Sequence, residues 1–208
     1  MIKEFDKNIE KHNKIKHKIF FTPSIENIGE ISNKLKSFGN IIIDQKFIFK
    51  FKNGQNYTLN NNGLIATKTN GNNWNCAIIG DKPIPKNIKT RWKICINNYK
   101  NTQFGWTILI GIGPDNPNNE ENFYCKCWSF IVDYSHISYK GSKYEYNKHS
   151  GRLKKGDIIE VIVDREKETL SFAVNGEDYG TAFTQIPKDE ELYPTVCIFP
   201  EGFSVEII

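Results

Sequence analysis

The sequence predicts an all-β sandwich preceded by a short α-helical N-terminal segment, and three observations carry that class. From Phe47 onward, β-branched and aromatic residues alternate with polar ones in strand-length runs. Asn/Gly-rich breaks separate these runs, and after Gly39 no stretch repeats at helical spacing. The sharpest unit is the meander Gly156–Phe183, where Asn175-Gly176 is a two-residue hairpin signal. Within it Leu170, Phe172 and Val174 share one face and Ser171 and Ala173 the other, the pattern of a strand with a partner on each side.

Taken in order, residues 1–44 read as the helical segment and 45–208 as the sandwich domain. Ile2, Phe5, Ile9, His12, Ile15 and Ile19 recur near helical spacing on a Lys/Asn-rich background. This is a solvated helix with one apolar stripe or the tail of a coiled coil, with a register slip between His12 and Ile15. Pro23 ends it. Ser24 N-caps a second helix whose stripe is Ile25, Ile28, Ile31, Leu35 and Phe38, with Gly39 as the C′ residue. Residues 1–40 are the candidate for self-association.

The strands come next. Phe47, Phe49 and Phe51 alternate with Ile48 and Lys50 before a turn at Asn53-Gly54. Tyr57–Leu59, Leu64–Lys68 and Cys76–Ile79 succeed them, then the alternating runs from Trp92 and from Trp106, then Trp128–Val132. Trp92, Trp106 and Trp128 are expected in strands, facing the core. Asn70–Asn75, Gly113–Asn122 and Asp133–Ser150 are expected to be irregular, and irregular loops on a rigid scaffold are where function concentrates.

Composition narrows the function. Among 208 residues, 38% are hydrophobic and 27 are aromatic, enough for a sizeable core. No apolar run is long enough to span a bilayer and Met1 opens no signal-peptide core, so the expectation is a cytoplasmic protein. The five scattered cysteines agree, reading as reduced thiols. Net charge is +4, and residues 1–44 hold 8 basic and 6 acidic side chains against 20 and 18 in the remainder. No concentrated basic footprint is present, so nucleic acid is not an expected partner.

Chemical motifs do not accumulate. Cys125-Lys126-Cys127 puts two thiols on one face of an expected strand, but no second Cys/His pair completes a zinc set, so no metal is assigned. The lack of a Cys/His array before residue 75 also excludes a RING or B-box on this chain. Gly111-Ile112-Gly113 leads into Pro114 rather than a helix N-terminus, which removes the nucleotide reading. Asp133, Ser135 and His136 read as a polar loop, without a nucleophile elbow or an oxyanion hole. No catalytic residue and no cofactor are assigned, and the chain reads as a non-enzyme.

An ordered series of motifs then resembles the SPRY domain. It runs through Trp92-x-Ile94-x-Ile96, Trp106…Ile110-Gly111-Ile112 and Cys127-Trp128-Ser129-Phe130 to Gly156-Asp157…Val163-Asp164. Leu170-Ser171-Phe172…Asn175-Gly176, Gly180-x-Ala182-Phe183, Leu192-Tyr193-Pro194-x-Val196 and Val205-Glu206-Ile207 complete it. No PRY extension is recognisable before it, although the Ile19–Pro23…Phe38–Ile41 junction is similar to the segment downstream of a B-box and coiled coil.

The resemblance implies a two-sheet antiparallel, jelly-roll-like sandwich that binds a protein or peptide partner at one rim. By position that rim comprises Lys68–Trp74, the loop Pro114–Tyr124 and the turn Phe199–Gly202. Within it the candidate partner-binding residues are Asn70, Asn72, Asn73 and Trp74, Asp115, Asn116, Asn118 and Phe123, and Phe199, Pro200 and Glu201. Trp74, Phe123 and Phe199 would be the aromatic anchors, with the asparagines supplying directional hydrogen bonds. Trp74 has two readings, a plug folded into the core or an anchor facing a partner. Asn, Gly and Trp stand where SOCS-box relatives that bind Asn-rich peptides have basic and proline positions, so that ligand does not carry over. Two alternatives remain beside the peptide reading: a substrate-recruiting fragment of a ubiquitin-ligase system and a carbohydrate-binding jelly roll.

Overall fold

A computed structural model describes residues 42–50, 56–74, 77–100, 104–115, 123–146 and 153–208. The N-terminal helices expected over residues 1–40, the turn at Asn53-Gly54, Cys76 and the loop positions Asn116 and Asn118 lie outside the described residues. The fifteen strands described are β1 (Ile42–Asp44), β2 (Phe49–Lys50), β3 (Tyr57–Asn60), β4 (Ile65–Lys68), β5 (Ala77–Gly80), β6 (Lys89–Asn98), β7 (Ile108–Gly113), β8 (Trp128–Ile131), β9 (His136–Tyr139), β10 (Ser142–Glu145), β11 (Ile158–Asp164), β12 (Thr169–Val174), β13 (Glu177–Thr184), β14 (Tyr193–Ile198) and β15 (Ser204–Ile207).

They form two sheets packed as a sandwich. One runs β13-β12-β11-β6-β15-β4-β3, and the other runs β10-β9-β8-β7-β14-β5-β2. Pairing is antiparallel with one exception among the described strands: β1 lies parallel to β6, Ile42 against Lys89 through Asp44 against Arg91. Because β11 occupies the other side of that stretch, β1 extends the edge that β15 covers further along β6. Arg91 crosses this junction on the outer face, with Nε 2.7 Å from Asp44 Oδ1 and Nη1 3.2 Å from Glu160 Oε1. The hydrogen bond to Asp44 raises the Arg91 pKa more than partial burial lowers it.

The meander folds as its pattern predicts. β12 pairs with β11 and β13, and Leu170, Phe172 and Val174 all enter the core. Asn175 and Gly176 have φ of 51° and 87°, the left-handed pair a tight hairpin turn requires. The Asn175 side chain also accepts from Ile158 N–H at 2.9 Å and donates to Asp157 at 3.0 Å, tying the turn to the start of β11.

The second sheet is buried on both faces at its strands β5, β7 and β14, every residue of which is buried. Ile78, Ile108, Ile110, Ile112, Val196 and Ile198 face the inter-sheet core. Ala77, Ile79, Leu109, Ile131, Tyr193 and Cys197 form a second apolar cluster, which Trp74, Trp106 and Tyr124 partly cover. Their alternation with the inner set places this cluster on the opposite, outer face. Gly111 lets the strands close up, since a Cβ there would lie 1.9 Å from the Trp128 carbonyl oxygen.

Several expectations are corrected. Asp133–Ser150 is not wholly irregular: Lys140 and Gly141, with φ of 51° and 74°, turn β9 into β10. β10 escapes sequence reading because all four of its residues are exposed and carry no apolar alternation. Of the three tryptophans expected in the core, Trp92 is buried. Trp106 precedes β7, and Trp128 is half-buried with its ring stacked on Tyr139 at 4.8 Å. Cys125 lies in a 3₁₀ turn, Phe123–Lys126, so the two thiols do not share a strand face.

Asp133 is fully buried rather than part of a solvated loop. It accepts from the Thr107 N–H at 2.6 Å, the Thr107 hydroxyl at 2.8 Å and the Tyr99 hydroxyl at 2.7 Å. Satisfying a buried carboxylate in this way fixes the entry to β7. No helix among the described residues is long and apolar enough to cross a membrane.

Two measurements test this core. Phe172→Ala removes a fully buried ring and should cost about 3–5 kcal/mol in denaturant unfolding; a variant as stable as the parent would break the register. Tyr146 links the sheets, donating to the Gly180 carbonyl and accepting from Phe172 N–H. Burial pushes its phenol, and that of Tyr193, from 10.0 up to about 12. An acid whose folded pKa is raised stabilises the fold fully below the unfolded pKa and loses that contribution as pH rises through the folded one. Stability should therefore fall between pH 10 and 12, and less steeply in Tyr146→Phe; an unchanged slope would remove this assignment.

Candidate functional site

The outer apolar cluster of the second sheet must be shielded from water, and the segments that shield it carry the candidate rim residues. After β4 the chain turns through Asn70–Asn73 and lays the Trp74 ring, half-buried, against the cluster. Its ring centroid lies 5.1 Å from that of Tyr124 and 5.1 Å from that of Phe199. Phe104 continues the row, 5.2 Å from Phe199 and edge-on to it. Trp74 thus satisfies part of each sequence reading: it packs on a core, but on the outer one, and keeps part of its surface exposed.

Polar contacts hold the loop in place. The Gly71 N–H donates to Glu201 Oε2 at 3.1 Å, and the Glu201 N–H donates to Asn72 Oδ1 at 3.1 Å. This reciprocal pair joins the loop before β5 to the turn before β15, segments 129 and 130 residues apart in sequence. Beneath it Lys68 is fully buried and its ammonium donates to Asn73 Oδ1 at 2.8 Å and to the Asn73 carbonyl at 3.3 Å. Asn98 completes the frame by donating to the Gly202 carbonyl at 2.6 Å.

Asn70, Asn72, Asn73, Trp74, Phe199, Pro200 and Glu201 therefore come together around one docked loop. Asn72 and Asn73 spend part of their hydrogen-bonding capacity on that docking, and Pro200 is buried. Asp115 lies on the Tyr193 side, where its charge adds slightly to the raised phenol pKa. Phe123 does not present its ring outward: it is 1% exposed and belongs to the cluster itself. Its neighbour Tyr124 takes the position facing Trp74 instead. In a 3₁₀ turn adjacent residues point in different directions, so the apolar ring goes under and the ring with a hydroxyl stays at the surface.

Sequence reasoning puts Lys68 and Tyr124 at the ends of rim segments without singling them out as contact residues, and it does not name Phe104. Tyr124 is available from the Phe-Tyr adjacency. Phe104 carries no local signal, because it packs on Phe199 in a distant segment. Lys68, whose ammonium bonds Asn73 five residues on, reads in the sequence as an ordinary polar residue at a strand end. Burial pushes the Tyr124 phenol pKa up, with a further contribution from its hydrogen bond to Cys125. Among the described residues no group of three or more His, Cys, Asp or Glu side chains could hold a metal ion. What the site offers is a row of partly exposed aromatic rings bordered by amide and carboxylate groups on a pinned backbone.

Comparisons with known proteins agree with this fold. The SPRY-domain family model matches residues 89–207, from β6 to the end of β15. F-box/SPRY domain-containing protein 1 of Drosophila melanogaster is 36% identical over 72 residues, which is 33% of this chain and 28% of that protein. Its Drosophila erecta counterpart matches equally. The matched stretch thus spans little more than a quarter of the length of these relatives. Among solved structures, the SPRY domain of human HERC1 superposes with a TM-score of 0.60 at 23% identity, covering 76% of this chain and 96% of that one. The TRIM65 PSpry domain gives 0.59 at 11% identity, covering 87% and 99%. The NHR domain of Drosophila melanogaster Neuralized gives 0.54 at 16%, covering 79% and 92%. β1–β5 precede the matched region and still pair into both sheets, so the sandwich is larger than the family model alone delimits. With its matched region spanning more than half of its length and its strands forming this two-sheet sandwich, the chain belongs to the SPRY-domain family.

Proposed function

We propose that this chain is a non-enzymatic protein-interaction module that captures a peptide or loop of a partner at the rim built around Trp74. SPRY domains are interaction modules, and the observation that carries the finer reading is the docked loop. Trp74 lies between Tyr124 and Phe199, partly exposed, on a backbone tied down by Glu201. A large aromatic held rigid before binding loses little conformational freedom on complex formation, which is the property of a hot-spot anchor. The partner segment would be short, with an apolar side chain to cover Trp74 and backbone or amide groups to meet the side-chain amides of Asn70 and Asn72.

A second reading rests on the matched relatives, whose names join an F-box to the SPRY domain. In that arrangement the rim would select a substrate and a separate part of an assembly would deliver it to a ubiquitin ligase. Both readings use the same surface, and they differ in what co-purifies: a single partner in the first, ligase subunits as well in the second.

The direct test is affinity capture by the full chain and by Trp74→Ala, read by mass spectrometry and then by titration with the captured partner. Trp74→Ala should stay folded, lose about 1–2 kcal/mol of stability from the half-buried ring, and bind its partner at least about tenfold more weakly. Unimpaired capture would move the site elsewhere. Glu201→Ala should act one step back. It should lower stability by about 0.5–1.5 kcal/mol, accelerate amide exchange across residues 70–74 and weaken capture less than Trp74→Ala does. Exchange rates unchanged in that loop would show that Glu201 does not hold it.

A further inference from the structure

The edge of the second sheet carries a different surface. Ser142–Glu145 of β10 are all exposed, and among the described residues no strand pairs with the outer side of β10. An unpaired strand edge is a template for another strand. Tyr139 and Ser142 flank the two-residue turn Lys140-Gly141 and form its closing pair. Hydrogen bonding alternates along an antiparallel ladder, so Ser142 and Tyr144 bond toward β9. The N–H and C=O groups of Lys143 and Glu145 then point away from the sheet, available to a newcomer.

The side chains say which newcomer fits. Read antiparallel to itself, Lys143-Tyr144-Glu145 is self-complementary. About a twofold axis through Tyr144 and perpendicular to the sheet, Lys143 lies opposite Glu145 of a second copy, and Glu145 opposite its Lys143. Those are the residues whose backbone groups face outward, so the same register makes four inter-chain hydrogen bonds and two opposite-charge pairs. Tyr144, 51% exposed, meets its own copy as the central non-bonded pair, where side chains approach most closely. A register shifted by one residue would set inward-facing backbone groups against outward-facing ones and lose both the hydrogen bonds and the charge pairing.

We propose that β10 is a self-association edge, through which two copies of this chain join their seven-stranded sheets into one continuous sheet with isologous symmetry. The contact is short and buries far less than a permanent dimer needs, so association is reversible, with a Kd on the order of 0.1–1 mM.

Sedimentation equilibrium of the intact chain over about 10 µM to 1 mM tests the edge, with Lys143→Glu and Glu145→Lys as variants at exposed positions. The parent should show a concentration-dependent monomer–dimer equilibrium. Each single variant sets like charges opposite one another and should weaken the dimer by about tenfold or more. The double exchange Lys143→Glu/Glu145→Lys restores the complementarity and should restore the dimer. Mixing the two single variants should form a heterodimer, because one then presents two acidic and the other two basic residues in this register. A monomer throughout the range overturns the proposal. So does a dimer that ignores the charge variants, which would place self-association elsewhere, including residues 1–40.

Discussion

An apolar outer face on the second sheet is the constraint on which the rest of the molecule turns. β5, β7 and β14 are central strands of that sheet and have no polar side to offer water. The inter-sheet core covers one face. The other presents Ala77, Ile79, Leu109, Ile131, Tyr193 and Cys197, and in an isolated sandwich this would be a contiguous apolar patch of the kind that drives aggregation or binding. Among the described residues, loops and a 3₁₀ turn cover it. A loop used as a cover cannot wander, so segments that would otherwise be mobile are held by specific bonds.

The reciprocal pair between Gly71, Asn72 and Glu201 and the buried Lys68 ammonium under Asn73 are the means. The Glu201 carboxylate and the Lys68 ammonium place a charged acceptor and a charged donor on backbone or amide partners, where hydrogen bonds are about twice as strong as neutral ones. The ring that completes the outer core, Trp74, is also the ring exposed at the proposed rim, so in that reading stability and recognition would be coupled through one side chain. That coupling is also why the sequence does not decide between core plug and anchor: the alternatives assume a single core, and the fold has two.

What is legible in the sequence is what depends on neighbours within about ten residues. The β12 face, the Asn175-Gly176 hairpin and the alternation of Phe47, Ile48 and Phe49 all follow from local period and turn chemistry. Sequence reading fails where the deciding contact is remote. Alternation gives β7 one core face, although Leu109 is as buried as Ile108 and Ile110; the continuous apolar run is a sign of two-sided burial. Phe123, expected as an outward anchor, lies in the cluster and Tyr124 faces Trp74 instead, because which of two adjacent aromatics points inward depends on a cluster assembled from several other segments. β10 escapes for the opposite reason, since a strand with no buried residue has no hydrophobic period to read.

The rim and the β10 edge lie on one sheet, and their separation has a consequence. Strand order places β10 four strands from β14, over which the aromatic row sits. At about 4.8 Å per strand that is roughly 19 Å, so two copies joined along β10 carry their rims on the order of 40 Å apart. A twofold axis perpendicular to the joined sheet keeps both outer faces on the same side, so both rims face the same direction. Neither rim is covered by the other copy. A partner that displays its recognition segment twice, or clusters on a surface, would then engage both rims, and the second engagement would be intramolecular. An edge contact too weak to hold a dimer by itself becomes sufficient once such a partner bridges the two copies. The short, charged and reversible form of β10 is suited to that arrangement, whereas a long apolar edge would associate without regard to the partner.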